Sequence, residues 1–115
     1  MTIDTRFSKR VVILDVSGKL AAEEGAKELQ TQIKELSSSG YQRIILNLGD
    51  VNRVDSTGIE ALVSSYTTVK KKGGAVKFAH VTSRLNHLLE ITKLSTVFET
   101  FQEEAQAIDS FFPKE

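Results

Sequence analysis

The sequence contains no cysteine, and its single proline is Pro113. The lack of cysteine excludes disulfides, thiolate metal sites and a cysteine nucleophile, and it suits a reducing compartment. No apolar run approaches the roughly 20 residues that cross a bilayer, and the start, MTIDTRFSKR, has no apolar signal segment. We therefore expect a cytoplasmic protein that does not bind membranes.

The chain also lacks a net charge, because 15 basic residues balance 15 acidic ones. Proteins that bind nucleic acids or anionic membranes usually depend on a positive field. We therefore expect protein partners and no nucleic acid. A chain of 115 residues is long enough to bury one core without metals or disulfides. We expect residues 1–115 to form one domain, with a core from about residue 3 to residue 112.

Glycines rather than prolines separate the predicted elements. Alternating and β-branched residues predict an antiparallel hairpin, and three- and four-residue spacings of apolar residues predict helices. A continuous apolar run at residues 44–48 predicts a central strand covered on both faces. The predicted strands are 3–7, 11–16, 44–48, 75–81 and 97–101, and the predicted helices are 22–36, 59–69, 85–89 and 102–112. This alternation predicts an α/β fold, with about four helices packed against a mixed sheet of about four to five strands.

Residues 50–59, between the central strand and the next helix, are the only stretch whose residue pattern indicates a specific chemical role. Thr57 and Glu60 match a capping box, in which the threonine hydroxyl accepts from the Glu60 N–H. Asp55, Ser56 and Thr57 are therefore also typical of an ordinary helix start with no further role. A capping box needs only one hydroxyl, however. The Ser56 hydroxyl is therefore not used in the predicted cap, and we expect it to be exposed.

A phosphate on Ser56 would face the free N–H groups at the positive end of the helix. The fold should tolerate that phosphate, while the surface would gain about 1.5 to 2 negative charges beside Asp55. The spacing therefore allows a switch that changes a binding surface without unfolding the protein.

The motif Val-Asp-Ser-Thr-Gly-Ile at residues 54–59, preceded by an apolar strand and Asp50, resembles the phosphorylation site of STAS domains. Within that family, the sequence resembles the small anti-sigma-factor antagonists. Other stretches resemble further landmarks of the family in the same order, and together they cover about residues 3 to 112. These stretches are residues 16–20 (a strand and Gly-x-Leu turn), 44–48, 72–74 and 85–94.

This resemblance implies a binding module rather than an enzyme. In the family, an unphosphorylated antagonist binds an anti-sigma factor that is also a serine kinase, and a sigma factor is released. The resemblance makes Ser56 the acceptor, Thr57 a helix cap, and Asp55, Gly58 and Ile59 the surrounding motif and interface. A serine phosphatase would reset the cycle, and ATP and Mg²⁺ would belong to the kinase, so we expect no cofactor in this chain.

One residue departs from the family pattern. Family members with this regulation often have an aspartate directly after the Gly-x-Leu turn, where this chain has Ala21. Glu23 or Glu24 could replace that carboxylate. The alternative function is therefore a STAS scaffold or subunit of a signalling or transport complex that is not phosphorylated.

Other candidate sites are weak. His80 and His87 lie on different predicted elements with no third ligand at a suitable spacing, so we expect no metal site, with His80 in a strand and His87 exposed on a helix. No nucleophile with a paired base and no phosphate-binding glycine loop is recognisable. A small enzyme is therefore the least favoured class.

Overall fold

The computed structural model describes residues 1–112, and within them five strands form one sheet in the order β1-β2-β3-β4-β5. The first two strands pair antiparallel, and the others pair parallel. The strands are β1 (Thr2–Ser8), β2 (Val11–Leu20), β3 (Arg43–Val54), β4 (Ala75–Ala79) and β5 (Thr100–Phe101). The helices are α1 (Ala22–Ser38), α2 (Ser56–Lys71), α3 (Ser83–Ile91) and α4 (Glu104–Ser110). This arrangement confirms the predicted α/β class with a mixed sheet.

The opening hairpin is also confirmed. Lys9 and Arg10 form its turn, and both have positive φ, at 49° and 69°. Two successive left-handed residues give a turn whose twist matches that of the flanking strands. After α1, Gly40 has a φ of +94°, the left-handed conformation that glycine commonly adopts where a helix ends.

The central strand β3 is covered on both faces, as predicted. Side chains alternate between the faces of a strand, so Ile44 and Leu46 point to one side and Ile45 to the other. The first side is the larger core, which includes buried residues of α1, α2 and α3. Ile45 instead packs in a smaller cluster with Ala107 and Ile108 of α4.

The ends of β3 and β4 differ from the prediction. β3 continues to Val54 because its second half pairs with residues 17–20 of β2, although Gly49 interrupts the apolar run. β4 ends at Ala79, because His80 has a φ of +54° that an extended strand does not accommodate. The prediction of His80 as a strand residue was therefore wrong, and its side chain is exposed.

The C-terminal elements are shorter than predicted. β5 contains only Thr100 and Phe101, and α4 spans seven residues instead of the eleven at 102–112. The sequence spacing predicts that Ala105, Ile108 and Phe112 share one buried face. α4 buries Ala107 and Ile108, whereas Ala105 and Phe112 are exposed, so that register was partly wrong. Among residues 1–112, no helix is both long enough and apolar enough to cross a membrane.

Candidate functional site

The junction between β3 and α2 lies against the turn that joins β2 to α1. The second half of β3 runs parallel to the end of β2, with Lys19 opposite Arg53 and Leu20 opposite Val54. Parallel strands end at the same edge of a sheet, so the two following helices begin side by side. Residues 55–59 therefore start α2 directly beside the start of α1.

Asp55 is the N-cap of α2, and its carboxylate connects the two helices. One oxygen accepts a hydrogen bond from the Gly58 N–H at 2.9 Å, and the other accepts from the Ala22 N–H at 3.1 Å. These two N–H donors, that of Gly58 foremost, hold the pKa of Asp55 below its ordinary value, and nearby Arg53 adds a smaller effect. Asp55 is therefore held ionised between two helix N-termini, where a negative charge is favoured.

Thr57 does not have the capping role that the sequence analysis gave it. It is the second residue of α2, and the cap is made by the side chain of Asp55, two residues before it. α2 consequently begins at Ser56, three residues before the predicted start at Ile59. The sequence already contained the signal for this cap, because aspartate at the end of a strand is among the strongest N-cap residues.

Ser56 is the first residue of α2, and its side chain is exposed. Its hydroxyl forms no hydrogen bond within residues 1–112 in the structure, whereas both carboxylate oxygens of the neighbouring Asp55 already accept backbone hydrogen bonds. Within residues 1–112, no side chain accepts a hydrogen bond from this hydroxyl, so none is placed as its base in the structure. The arrangement therefore suits a passive acceptor that an external enzyme can reach, and not an activated nucleophile.

Gly58 is buried where α2 passes close to β2. A Cβ at this position would lie 1.9 Å from the Leu20 carbonyl oxygen and 3.0 Å from Val54 Cγ1. Because Gly58 does not have a positive φ, the close approach of the backbones, and not an unusual dihedral angle, requires glycine here. Ile59 follows, half-buried against the larger core, and its N–H donates to the Asp55 carbonyl at 2.9 Å.

Ala21 occupies the N-cap position of α1, and that helix has no side-chain cap of its own. The Asp55 carboxylate supplies the missing acceptor from across the junction, at the N–H of Ala22, which has a φ of +63°. Of the two acidic residues in the first turn of α1, Glu23 lines a groove with Thr57 and Glu60. Glu23 therefore shares a groove with the start of α2, and Glu24 does not line that groove.

Neither histidine belongs to this junction. His80 follows β4, where its Cβ lies close to Gly49, and His87 is exposed on α3, as predicted. Residues 1–112 contain no group of three or more His, Asp or Glu side chains placed to hold a metal ion.

Comparison with known proteins agrees with this architecture. The chain is 27% identical over 99 residues to the anti-sigma-B factor antagonist of Bacillus subtilis (strain 168), which covers 86% of this chain and 89% of that protein. Two solved structures share the fold. An anti-sigma factor antagonist from Mycobacterium paratuberculosis superposes with a TM-score of 0.83 at 18% identity, covering 95% of this chain and 92% of the other.

The anti-sigma factor antagonist SpoIIAA in its unphosphorylated form superposes with a TM-score of 0.74 at 15% identity, covering 96% and 97%. The profile of the STAS domain matches residues 2–107, almost the whole of the described fold. The chain therefore belongs to the STAS domain family.

Proposed function

We propose that this chain is a cytoplasmic anti-sigma factor antagonist that binds an anti-sigma factor with serine kinase activity and releases a sigma factor. Binding occurs while Ser56 is unphosphorylated and is lost when Ser56 carries a phosphate. The chain acts as a binding module, and the catalytic groups, ATP and Mg²⁺ belong to the kinase. The observation that carries the proposal is the exposed Ser56 hydroxyl, which is left free because Asp55 caps α2.

In the phosphorylation step, Ser56 Oγ attacks the γ-phosphorus of ATP. The new O–P bond forms as the bond to the β–γ bridging oxygen breaks, ADP leaves, and the hydroxyl proton passes to a base of the kinase. A serine phosphatase then uses water to cleave the phosphoester, which restores Ser56 and releases inorganic phosphate.

The phosphate acts on the surface and leaves the fold in place. The helix N-terminus favours an anion, but Asp55 already accepts from the Gly58 N–H in the first turn of α2. The phosphate therefore adds about 1.5 to 2 negative charges next to an ionised carboxylate. A partner that covers Ser56 would have to desolvate both anions, and this cost favours the free state.

A direct test uses the protein purified from its native host. Intact mass is measured with and without phosphatase treatment, and tandem mass spectrometry identifies the modified residue. We expect a species heavier by one phosphoryl group, modified at Ser56. In parallel, each anti-sigma serine kinase encoded by that host is incubated with ATP and either wild type or Ser56→Ala. Label at Thr57 in the variant would show that Ser56 is the wrong acceptor.

The second candidate function is an unphosphorylated STAS scaffold that binds through the same face. Ala21 favours it, because this chain lacks a carboxylate at the N-cap of α1 beside the acceptor. The mass measurement separates the two functions. Absence of phosphoprotein under all growth conditions, together with stable complex formation, would support the scaffold.

A further inference from the structure

The strand β1 lies at one edge of the sheet and leaves that edge available to another chain. Within residues 1–112 it pairs only with β2, so one row of its backbone N–H and C=O groups faces no other strand. Natural proteins usually protect such an edge with proline, lysine, a bulge or a very short strand. β1 has seven residues, contains neither proline nor lysine, and pairs with β2 without a register shift. It is therefore a regular edge that can accept a further strand.

The opposite edge of the sheet does not offer the same opportunity. It is formed by β5, which contains only Thr100 and Phe101. A strand of two residues presents too few backbone groups to hold a second sheet. Copies that associate through β1 can therefore pair once and then stop, which gives a closed dimer with two-fold symmetry.

The hairpin turn determines which backbone groups of β1 point to the free edge. Lys9 and Arg10 form a two-residue turn, and Ser8 lies opposite Val11. The pair beside such a turn is hydrogen-bonded, and hydrogen-bonded pairs then alternate with non-hydrogen-bonded pairs along the hairpin. The even-numbered residues of β1 therefore bond to β2. The residues whose N–H and C=O groups point outward are Ile3, Thr5 and Phe7.

The sequence of β1 is complementary to itself about Thr5. When two copies pair antiparallel with Thr5 opposite Thr5, all seven residues of each strand are paired. Ile3 then lies opposite Phe7 of the second copy, and Asp4 lies opposite Arg6 of the second copy. A register centred on Asp4 or on Arg6 would instead place two like charges directly opposite each other, which is destabilising. Registers centred on Ile3 or Phe7 would pair fewer residues.

Phe7 provides the apolar part of this complementarity. Its side chain is 63% exposed, although its ring lies 5.7 Å from that of Tyr41. Ile3 lies on the same face of β1 and packs partly against the larger core. Pairs of aromatic and β-branched residues across neighbouring strands stabilise a sheet. In the Thr5-centred register, Ile3 of each copy would cover Phe7 of the other, so the contact forms twice.

The other face of β1 provides the complementary charges. Asp4 is exposed, lies opposite Asp15 of β2, and forms no ion pair within residues 1–112. Arg6 is held by Asp15 and Glu104, and its side chain remains 45% exposed. Because the guanidinium is already fixed in place, its pairing with Asp4 of a second copy costs little conformational entropy. Such pairing would also offset the repulsion between Asp4 and Asp15.

We propose that this chain forms a two-fold symmetric dimer through antiparallel pairing of β1 with β1 of a second copy, centred on Thr5. The outward N–H and C=O groups of Ile3, Thr5 and Phe7 make the backbone hydrogen bonds, and the two sheets continue into one. An interface of a single strand is smaller than the standard size of about 800 Å² per partner, so the dimer dissociates in the micromolar range. This inference requires only this chain and does not depend on the proposed function.

Sedimentation of wild type and variants over a series of concentrations tests the proposal. Wild type should pass from monomer to dimer as its concentration rises through the micromolar range. Thr5→Pro removes the N–H at the two-fold axis, at an edge position where proline is tolerated, and should raise the dissociation constant of the dimer at least about 10-fold. Phe7→Ser should also raise it about 10-fold or more. Ile91→Ser is the matched control, because Ile91 on α3 is also 63% exposed, and it should change the constant by less than about twofold.

A single engineered cysteine reports the register, since the chain has no cysteine of its own. Residues in a hydrogen-bonded antiparallel pair have Cα atoms about 5.5 Å apart, within the range of about 4.4–6.8 Å found in disulfides. Thr5→Cys should therefore form a covalent dimer on mild oxidation. Thr2→Cys is the control, because Thr2 is exposed on the same strand but would lie about 20 Å from Thr2 of the second copy. It should stay largely monomeric in a denaturing gel.

Thermal melts establish that each variant is folded, and the cysteine variants keep the result decisive if Thr5→Pro disturbs the hairpin. Wild type that sediments as a monomer at about 500 μM, far above the expected dissociation constant, would overturn the proposal. A wild-type dimer that Phe7→Ser leaves intact and that Thr5→Cys does not cross-link would place the contact on another surface, which also overturns it. Equal cross-linking of Thr2→Cys and Thr5→Cys would refute the register centred on Thr5.

Discussion

Replacement of Gly58 by alanine would place a methyl group between α2 and the end of β2. Nonbonded carbon contacts are optimal at about 3.5–4.0 Å, and the new Cβ would lie only 1.9 Å from the Leu20 carbonyl oxygen. Because the obstacle is backbone, it cannot rotate away as a flexible side chain could. The first turn of α2 must therefore move by more than about 1 Å, which also separates Asp55 from the Ala22 N–H.

The expected magnitude follows from two opposing effects. Overpacking costs about 1–3 kcal/mol and occasionally more, whereas alanine in place of glycine in a helix gains about 1 kcal/mol. With a contact this short the overpacking cost falls at the upper end, so Gly58→Ala should reduce the free energy of unfolding by about 2 kcal/mol. Gly58→Val, which is bulkier and β-branched, should reduce it further.

Urea unfolding measures this loss, and Gly40→Ala is the matched control. Gly40 has no neighbour within 4 Å of a new Cβ but has a φ of +94°, so its cost of about 1–2 kcal/mol comes from the left-handed backbone alone. Amide NMR shifts distinguish the two variants, because only Gly58→Ala should move the signals of Ala22 and Ser56. Wild-type stability and unchanged amide shifts in Gly58→Ala would refute the argument that α2 must pass this close to β2.

Three further predictions concern the same junction. Ser56→Ala removes an exposed hydroxyl that has no hydrogen-bond partner among residues 1–112, so the free energy of unfolding in urea should change by less than about 0.5 kcal/mol. Kinase labelling should disappear, and partner binding should persist. Ser56→Asp places a carboxylate at a helix N-terminus but beside ionised Asp55, so a thermal melt should stay close to wild type. In titration with the partner, the dissociation constant of this variant should be raised roughly 30- to 1000-fold, because desolvation of the carboxylate costs about 2–4 kcal/mol. Equal losses of stability and binding would instead indicate that the substitution disturbs the core. Asp55→Asn should reduce the fall in the free energy of unfolding that urea unfolding measures as the pH decreases from about 6 to about 2. The folded-state pKa of Asp55 is lowered, so its contribution to stability is present above the unfolded pKa of about 3.9 and is lost as pH falls through the folded pKa. The same pH dependence in wild type and variant would contradict the hydrogen bonds that Asp55 accepts from the two helices.

Local patterns in the sequence were sufficient to predict the fold class and most elements. The hairpin, the helix at residues 22–36 and the central strand depend on spacings of two, three or four residues, which neighbouring side chains display directly. The motif at residues 54–59 likewise depends on consecutive residues. These features are predictable from the sequence because the information that specifies each of them lies within a few positions.

Only the tertiary structure decided how the junction is built. The extension of β3 to Val54 depends on pairing with β2, and the bond from Asp55 to the Ala22 N–H joins residues 33 positions apart. Thr57 was assigned the capping role that Asp55 has, although Asp55 caps α2 through the Gly58 N–H only three residues away. What a local pattern does not show is the second bond of Asp55, which comes from the N–H of a neighbouring helix. The need for glycine at position 58 also comes from a distant carbonyl, that of Leu20, and not from its own φ. Contacts between segments far apart in the chain are set by packing of the whole sheet, which no short window of sequence contains.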